Sequence, residues 1–147
     1  MNTVWVLAQA ILILSVLFLP FKIPVHLPNV IRYLGMSCAI AGISLAVYAA
    51  ISVKKNLRPS PKPRTGGYLV TTGLYGIVRH PAYSGIVISA LGYSFWKSDV
   101  VRFILAGALL ILFDYKSKIE EKLLEKSFPG YSDYKKRVSK KFIPGVY

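Results

Sequence analysis

Residues 81–115 read PAYSGIVISALGYSFWKSDVVRFILAGALLILFDY, two apolar stretches that are separated only by the polar tripeptide Lys97-Ser98-Asp99. The apolar stretches are long enough for helices over residues 82–96 and 100–115. A polar connection of three residues leaves room for nothing but a sharp turn. The sequence therefore predicts a tight helical hairpin.

Two further apolar stretches, residues 3–19 and 31–53, precede the hairpin. A bilayer core takes about 20 helical residues, so each of the four stretches predicts a membrane span. The 147-residue chain is 54% hydrophobic with a mean hydropathy of +0.48, which is too apolar for an ordinary soluble domain. The first stretch lacks the basic region and cleavage pattern of a signal peptide, so we expect it to remain as a span. We predict an all-α integral membrane protein with about four transmembrane helices, forming a single domain over residues 1–147.

The positive charge is concentrated in two parts of the chain. The formal net charge is +13, with six Lys or Arg and no acid in residues 54–81 and nine in residues 116–147. This distribution argues against a nucleic-acid-binding protein and fits the positive-inside rule, by which both segments are cytoplasmic. Four spans then place both termini in the cytoplasm, with the lipid bilayer as partner and anionic headgroups as a second attraction. We expect a multi-pass protein of a prokaryotic cell membrane.

Cysteine and histidine are too scarce for a disulfide framework or a metal centre. Cys38 is the single cysteine, and His26 and His80 lie far apart. Neither spacing matches a zinc site, so we predict no metal.

The entry to the hairpin carries most of the chemistry. Residues 54–67 contain three prolines and two glycines and cannot be helical. The following stretch Gly73–Gly85, GLYGIVRHPAYSG, places a cation (Arg79), an imidazole (His80) and a helix-starting proline (Pro81) at the mouth of an apolar segment. This arrangement predicts polar chemistry at a membrane surface.

The fourth helix is predicted to continue out of the bilayer to about Ser127, where Pro129-Gly130 stops it. At 100° per residue, Glu120 falls with Lys116 on an otherwise apolar face, and Glu121 falls towards the opposite side. One interpretation is a Lys116–Glu120 surface pair, worth about 0.2–0.5 kcal/mol. The other is that Glu120 points into a polar site at the membrane boundary, where ionisable groups usually mark function.

The tail mixes aromatic and basic residues, as interfacial segments do. Tyr131 and Tyr134 are followed by Lys135, Lys136 and Arg137. Taken alone, this pattern predicts a membrane-surface anchor.

Several blocks, in this order along the chain, match a known family. They are Leu69–Tyr75, Arg79–Gly85, Glu120-Glu121 followed by Leu123-Leu124, and then Phe128, Tyr131, Tyr134 and Pro144. With these blocks the chain resembles the isoprenylcysteine carboxyl methyltransferase family, which is related to the phospholipid N-methyltransferases. The chain departs from the family pattern at Leu74, where a proline is usual, and at Phe128-Pro129-Gly130-Tyr131, which is one residue shorter than usual.

The resemblance implies an integral membrane enzyme that transfers a methyl group from S-adenosylmethionine to a small lipophilic or lipid acceptor, with a cytoplasmic cofactor-binding cap. A cation suits the α-carboxylate of this cofactor, carboxylates suit its ammonium and ribose, and aromatic rings suit its adenine and sulfonium. The resemblance assigns catalysis to Arg79, Glu120 and Arg137. It assigns cofactor binding to Tyr75, Arg79, His80, Pro81, Tyr83, Gly85, Glu120, Glu121 and Tyr134.

The acceptor stays open between a carboxylate, as in isoprenylcysteine methylation, and an amine, as in phospholipid methylation. A carboxylate would be positioned by a cation such as Arg79 or Arg137, whereas an amine would need a base. A non-catalytic membrane module that keeps the shape of the cofactor site is the third hypothesis.

Each of three site residues also has a purely structural interpretation. Arg79 would belong to the basic flank of the span, His80 would hold the loop, and Gly85 would allow close helix packing. The enzymatic hypothesis requires Arg79-His80 and Glu120 to meet.

Overall fold

The structure is a computed structural model that describes residues 2–53 and 69–143, and the named secondary-structure elements in these ranges are all helices. The predicted loop 54–67 and Pro144 lie outside the described residues. In chain order the described elements are α1 (Asn2–Phe18), α2 (Asn29–Ser52), a short 3-10 turn (Gly73–Gly76), α3 (Pro81–Lys97), α4 (Val100–Ser127) and α5 (Tyr131–Arg137).

The predicted hairpin is confirmed. Pro81 is the first residue of α3, and Ser98 turns the chain with a left-handed φ of 51°. Asp99 caps α4: its Oδ1 accepts from the backbone N of Val101 (3.1 Å) and from that of Ile23 (2.9 Å). Asp99 also pairs with Arg102. One buried carboxylate thus closes the hairpin and attaches the connection between α1 and α2 to it.

Glycines bring α2 and α3 into close contact. A Cβ atom on Gly85 would lie 2.6 Å from the carbonyl oxygen of Gly42, and one on Gly92 would lie 2.5 Å from that of Gly35. Real Cβ atoms do not tolerate such distances, so these positions admit only glycine at this separation. The packing role proposed for Gly85 is therefore present in the structure.

α1 lies antiparallel to α4 and completes the bundle. Arg102, early in α4, donates to the carbonyl oxygen of Val16 near the end of α1 (3.1 Å). Lys116, further along α4, donates to Gln9 Oε1 (2.6 Å). The apolar core between these helices and α3 consists of Val16, Val87, Ala90, Ala106, Leu109, Phe113 and Phe142.

Among the described residues, α2 is the one helix that is both long and apolar enough to cross a membrane. α1 and α3 have 17 residues each, and α4 extends to Ser127 as predicted. The outer faces of the bundle are apolar, with Ile11, Ile40 and Ile51 about 60% exposed. The four predicted stretches all form helices, but four membrane spans are not established by their lengths.

The tail folds back onto the protein. Tyr131, Tyr134 and Val138 are buried together against Leu69, Leu124 and Phe128. The two tyrosines are 1% and 4% exposed, so the prediction that they anchor the protein at the membrane surface is wrong. The physical reason is that α4 projects beyond the bundle and leaves an apolar face for α5 to cover.

Candidate functional site

The tail holds the entry to α3 in place. The backbone N of Arg79 donates to the carbonyl oxygen of Lys140, and that of His80 to Lys141, both at 3.0 Å. Ser84, one turn into α3, donates its hydroxyl to the carbonyl oxygen of Phe142 (2.7 Å). The Arg-His-Pro stretch is thereby fixed between the tail on one side and α4 on the other.

Arg79 is a buried brace between these segments. Its Nε donates to Glu121 Oε1 (2.9 Å), and its Nη1 donates to the carbonyl oxygens of Val138 (2.8 Å) and Ser139. The residue is 9% exposed. A guanidinium bonded in this way joins α3, α4 and the tail, and its buried charge is balanced by Glu121.

His80 lies between the two adjacent glutamates. Its Nε2 is 3.2 Å from Glu121 Oε1, and its Nδ1 is 3.7 Å from Glu120 Oε2. Helix periodicity placed Glu121 towards the opposite side of the helix from Glu120, whereas the resemblance assigned both residues to the site, and both carboxylates lie beside His80. The imidazole lies between the directions of the two side chains, so both carboxylates reach it.

Glu120 is the more accessible of the two carboxylates. Its side chain is 16% exposed, against 6% for Glu121. Its Oε1 accepts a hydrogen bond from the Tyr83 hydroxyl (2.6 Å). The Tyr83 ring is parallel to that of His80 (5.5 Å between centroids) and to that of Phe113 (4.4 Å). A carboxylate and a stack of flat rings therefore stand side by side at the end of the apolar core.

The surroundings fix the charge of Glu121. Burial acts to raise the pKa of its carboxyl, but hydrogen bonds from His80 and Arg79 outweigh burial and lower the pKa to about 2. Lys135 adds a further contact, with its Nζ 3.2 Å from Glu121 Oε2. Glu121 is thus a permanent anion at neutral pH.

Two more of the predicted residues flank this cluster as a pair. Tyr134 donates its hydroxyl to the carbonyl oxygen of Tyr75 (2.7 Å), and the Tyr75 hydroxyl donates to that of Ala49 at the end of α2 (3.4 Å). Burial, and then the charge of Glu120, raise the pKa of Tyr75 to about 12. Both tyrosines are neutral hydrogen-bond donors under physiological conditions.

The structure brings together five of the predicted site residues and separates others from them. The cluster consists of Arg79, His80, Tyr83, Glu120 and Glu121. Pro81 is buried at the start of α3, and Gly85 faces α2. Arg137 is exposed at the end of α5, and no hydrogen bond or ion pair joins it to a residue in the described ranges.

Lys116 and Lys135 were not predicted as part of the site. Lys116 was noted only as a surface partner of Glu120, whereas it is 2% exposed and bonded to Gln9. Its position on the apolar face of α4 was the signal that could have revealed it. Lys135 approaches Glu121 through the fold of the tail, which no local pattern indicates. Within residues 2–53 and 69–143 no group of three His, Cys, Asp or Glu is placed to hold a metal ion.

A family model described as phospholipid methyltransferase matches residues 30–130. The chain belongs to the phospholipid methyltransferase family. The matched region runs from α2 through α4 and includes every residue of the cluster. Family and apolar helix together indicate a membrane protein. The match supports the expected relationship to the phospholipid methyltransferases.

Curated relatives share the same part of the chain at modest identity. The cobalt-zinc-cadmium resistance protein CzcN of Cupriavidus metallidurans is 31% identical over 106 residues, which are 71% of this chain and 44% of that protein. The nickel-cobalt-cadmium resistance protein NccN of Alcaligenes xylosoxydans xylosoxydans is 34% identical over 70 residues, 47% of this chain and 33% of its own length. The mouse Delta(14)-sterol reductase TM7SF2 is 33% identical over 86 residues, 56% of this chain and 21% of the reductase. The chain thus spans less than half the length of each of these relatives.

Proposed function

We propose that this protein is a membrane-embedded methyltransferase that uses S-adenosylmethionine and acts on a small lipophilic acceptor, with a carboxylate as the methylated group. The observation that carries the proposal is the meeting of Glu120, His80 and Tyr83 at the end of an apolar helical bundle. The family of the chain supports methyl transfer as the reaction.

The residues of the cluster fit the cofactor by their chemistry. Glu120 offers a partly exposed carboxylate to an ammonium or a ribose diol. The parallel rings of His80 and Tyr83 offer an aromatic surface to a sulfonium or an adenine. Arg79 is already bonded to Glu121 and to the tail, so we assign it, with Glu121, the role of positioning His80 and the tail.

The chain's own residues would act by alignment. The cofactor supplies an electrophilic methyl group on sulfur, and an in-line displacement needs the acceptor held on the opposite side of that group. The buried cluster and the tail exclude water from this place. An ionised carboxylate acceptor attacks without losing a proton, so no general base is required, and an enzyme-bound covalent intermediate is not needed either.

The same proposal includes the topology. All four predicted spans would cross the bilayer, with both termini and the cluster on the cytoplasmic side, as the basic segments 54–81 and 116–147 favour. The cluster lies where α3 begins and α4 leaves the bundle, which is the end of the bundle that those two basic segments adjoin.

Titration of the purified protein in neutral detergent with S-adenosylhomocysteine tests the cofactor site. Wild type should bind, and Glu120→Gln should bind at least tenfold more weakly, because the neutral amide loses the charge-assisted bond. Glu125→Gln is the matched control, since Glu125 is an exposed acid on the same helix. Absence of binding to wild type would reject the enzymatic proposal and favour a non-catalytic module. Equal binding by the two variants would reject Glu120 as a contact.

The family match gives phospholipid amine methylation a specific claim as the second candidate. Incubation with a radiolabelled methyl donor and a lipid extract, followed by mild alkali, separates the two. A methyl ester is released by alkali, whereas an N-methyl group is retained. We expect alkali to release the radiolabel. A radiolabel that is retained would mean that the methylated group is an amine and not a carboxylate.

A further inference from the structure

A buried lysine lies beside the cluster and has no role in it so far. Lys116 is 2% exposed, and its Nζ donates to Gln9 Oε1 of α1 (2.6 Å) and lies 5.2 Å from the centroid of the Tyr83 ring. No carboxylate of residues 2–53 and 69–143 lies within ion-pair distance of this ammonium. Its direct partners are thus a neutral amide and an aromatic face.

An apolar cavity lies between the long helices, and Lys116 is not among the residues that line it. Its volume is about 280 Å³, and all four long helices line it. The lining includes Ile13 and Val16 from α1, Ile43 from α2, Ile86 from α3 and Leu109 from α4. A space with such walls accepts hydrocarbon and no charged group.

The two side chains that contact the ammonium, Gln9 and Tyr83, each lie one helical turn from a residue that lines the cavity. Gln9 precedes Ile13 by four residues on α1, and Tyr83 precedes Ile86 by three on α3. On α4 the spacing is two turns, since Lys116 follows Leu109 by seven residues. One turn of helix rises about 5.4 Å. A polar layer of Gln9, Tyr83 and Lys116 therefore lies between the cavity and the carboxylate of Glu120, another turn along α4.

The charge of Lys116 suits an anion at this level. The charge of Glu120, one turn along α4, acts on this ammonium without forming an ion pair with it. A buried ammonium whose direct contacts are neutral keeps part of its desolvation cost, which a hydrogen-bonded anion would offset. The two cations that the sequence offers for binding an acceptor carboxylate are less suitable. Arg79 is bonded to Glu121 and the tail, and Arg137 is exposed on α5.

We propose that Lys116 binds the negatively charged head of the acceptor, an amphiphile whose hydrocarbon chain enters the cavity between the four long helices. Gln9 is the partner that holds the ammonium before the anion arrives. The inference rests on the proposed function and names the substrate class of the same site. It places the anionic head within one helical turn of Glu120, between the cofactor contacts and the apolar cavity.

Binding of matched amphiphiles to the purified full chain in neutral detergent tests this inference. The probes are tetradecanoate, tetradecyl phosphate and tetradecanol, which share one hydrocarbon chain and differ in the head. Wild type should bind the two anions at least tenfold more tightly than the alcohol, a ratio that corresponds to about 1.4 kcal/mol. The relative affinity of the two anions then distinguishes a carboxylate from a phosphate as the preferred head.

Variants assign the preference to one side chain. Lys116→Gln should lose the tenfold preference for anions and keep its affinity for tetradecanol, whereas Lys116→Arg should keep both within threefold. Lys122→Gln is the matched control, since Lys122 is an exposed lysine on the same helix, and it should behave as wild type. A Lys116→Gln protein that keeps the anion preference would overturn the inference.

A second variant covers the case in which Lys116→Gln does not fold. Gln9→Leu removes the resting partner of the ammonium, so tetradecanoate should bind severalfold more tightly, and weaker binding would contradict our assignment. S-adenosylhomocysteine affinity is measured in parallel and should be the same in all these variants. If wild type does not bind S-adenosylhomocysteine but keeps its preference for anions, the proposed function is rejected. The anion site at Lys116 is then still supported.

Discussion

Arg79 and Glu121 lie at the centre of the site, yet their bonds show that they serve to hold it together. The guanidinium contacts one carboxylate and two carbonyl groups of the tail, and the carboxylate contacts Arg79, His80 and Lys135. The resemblance assigned both residues to cofactor binding, since a cation suits the carboxylate of the cofactor and a carboxylate suits its ammonium or ribose. At the scale of single residues, Glu120 is the most exposed of the charged side chains in the cluster, at 16% against 8% for Arg79 and 6% for Glu121.

The pKa of Glu121 gives a test of this positioning role. Its folded value of about 2 lies below the ordinary value of 4.5, so the ionised carboxylate stabilises the protein above about pH 4.5, and this contribution is lost as the pH falls towards 2. We expect Glu121→Gln to lower stability by about 3–5 kcal/mol at pH 7, the order of magnitude for breaking a buried pair.

Thermal unfolding in detergent from pH 7 to pH 2 measures the difference between wild type and Glu121→Gln. The gap should narrow below about pH 4.5 and nearly close at pH 2. Glu125→Gln, an exposed acid, should show only a small gap throughout. A gap for Glu121→Gln that stays constant over this range would mean that the carboxylate charge does not hold the site.

At the scale of elements, the contact between α2 and α3 explains the role of Gly85. The resemblance placed this glycine among the cofactor residues, and the structure places it against Gly42 and Ala46 of α2. α2 and α3 approach so closely at this point that the backbones touch. The glycine therefore positions α3, and through α3 it positions His80 and Tyr83.

Gly85→Ala should lower stability by about 1–3 kcal/mol, because the added methyl group forces the two helices apart. Gly107→Ala is the matched control, since a Cβ atom there meets no atom within 4 Å. Ala is also the better helix former by about 1 kcal/mol, so this control should be neutral or more stable. Thermal unfolding of both variants provides the comparison. Unchanged stability of Gly85→Ala together with lost S-adenosylhomocysteine binding would return Gly85 to the cofactor site.

The whole molecule has apolar outer faces on α1 and α2 and basic residues gathered in two segments. A bilayer with an anionic inner surface would orient a protein that has both properties. The proposed topology puts the hairpin turn near Lys97 outside and the segment 54–67 inside.

Single cysteines report this topology in cells that express the protein. Cys38 is exposed, so it is first replaced by serine. Lys97→Cys should react with a membrane-impermeant maleimide in intact cells, whereas Ser60→Cys should react only after permeabilisation. The reverse labelling pattern would invert the topology, and labelling of both in intact cells would contradict four spans.

The sequence by itself determined the local structure. It gave the hairpin and its turn, the start of α3 at Pro81 and the end of α4 at Ser127, since helix periodicity, proline and capping residues act over a few neighbours. It also indicated that Arg79-His80 and Glu120 would come together, because a hairpin returns its second helix to the start of its first. What only the tertiary structure decided is how the tail covers this place, how Glu121 reaches His80, and how Gln9 of α1 meets Lys116. These contacts join segments far apart in the chain, and their partners are selected by packing and burial, which no local pattern encodes.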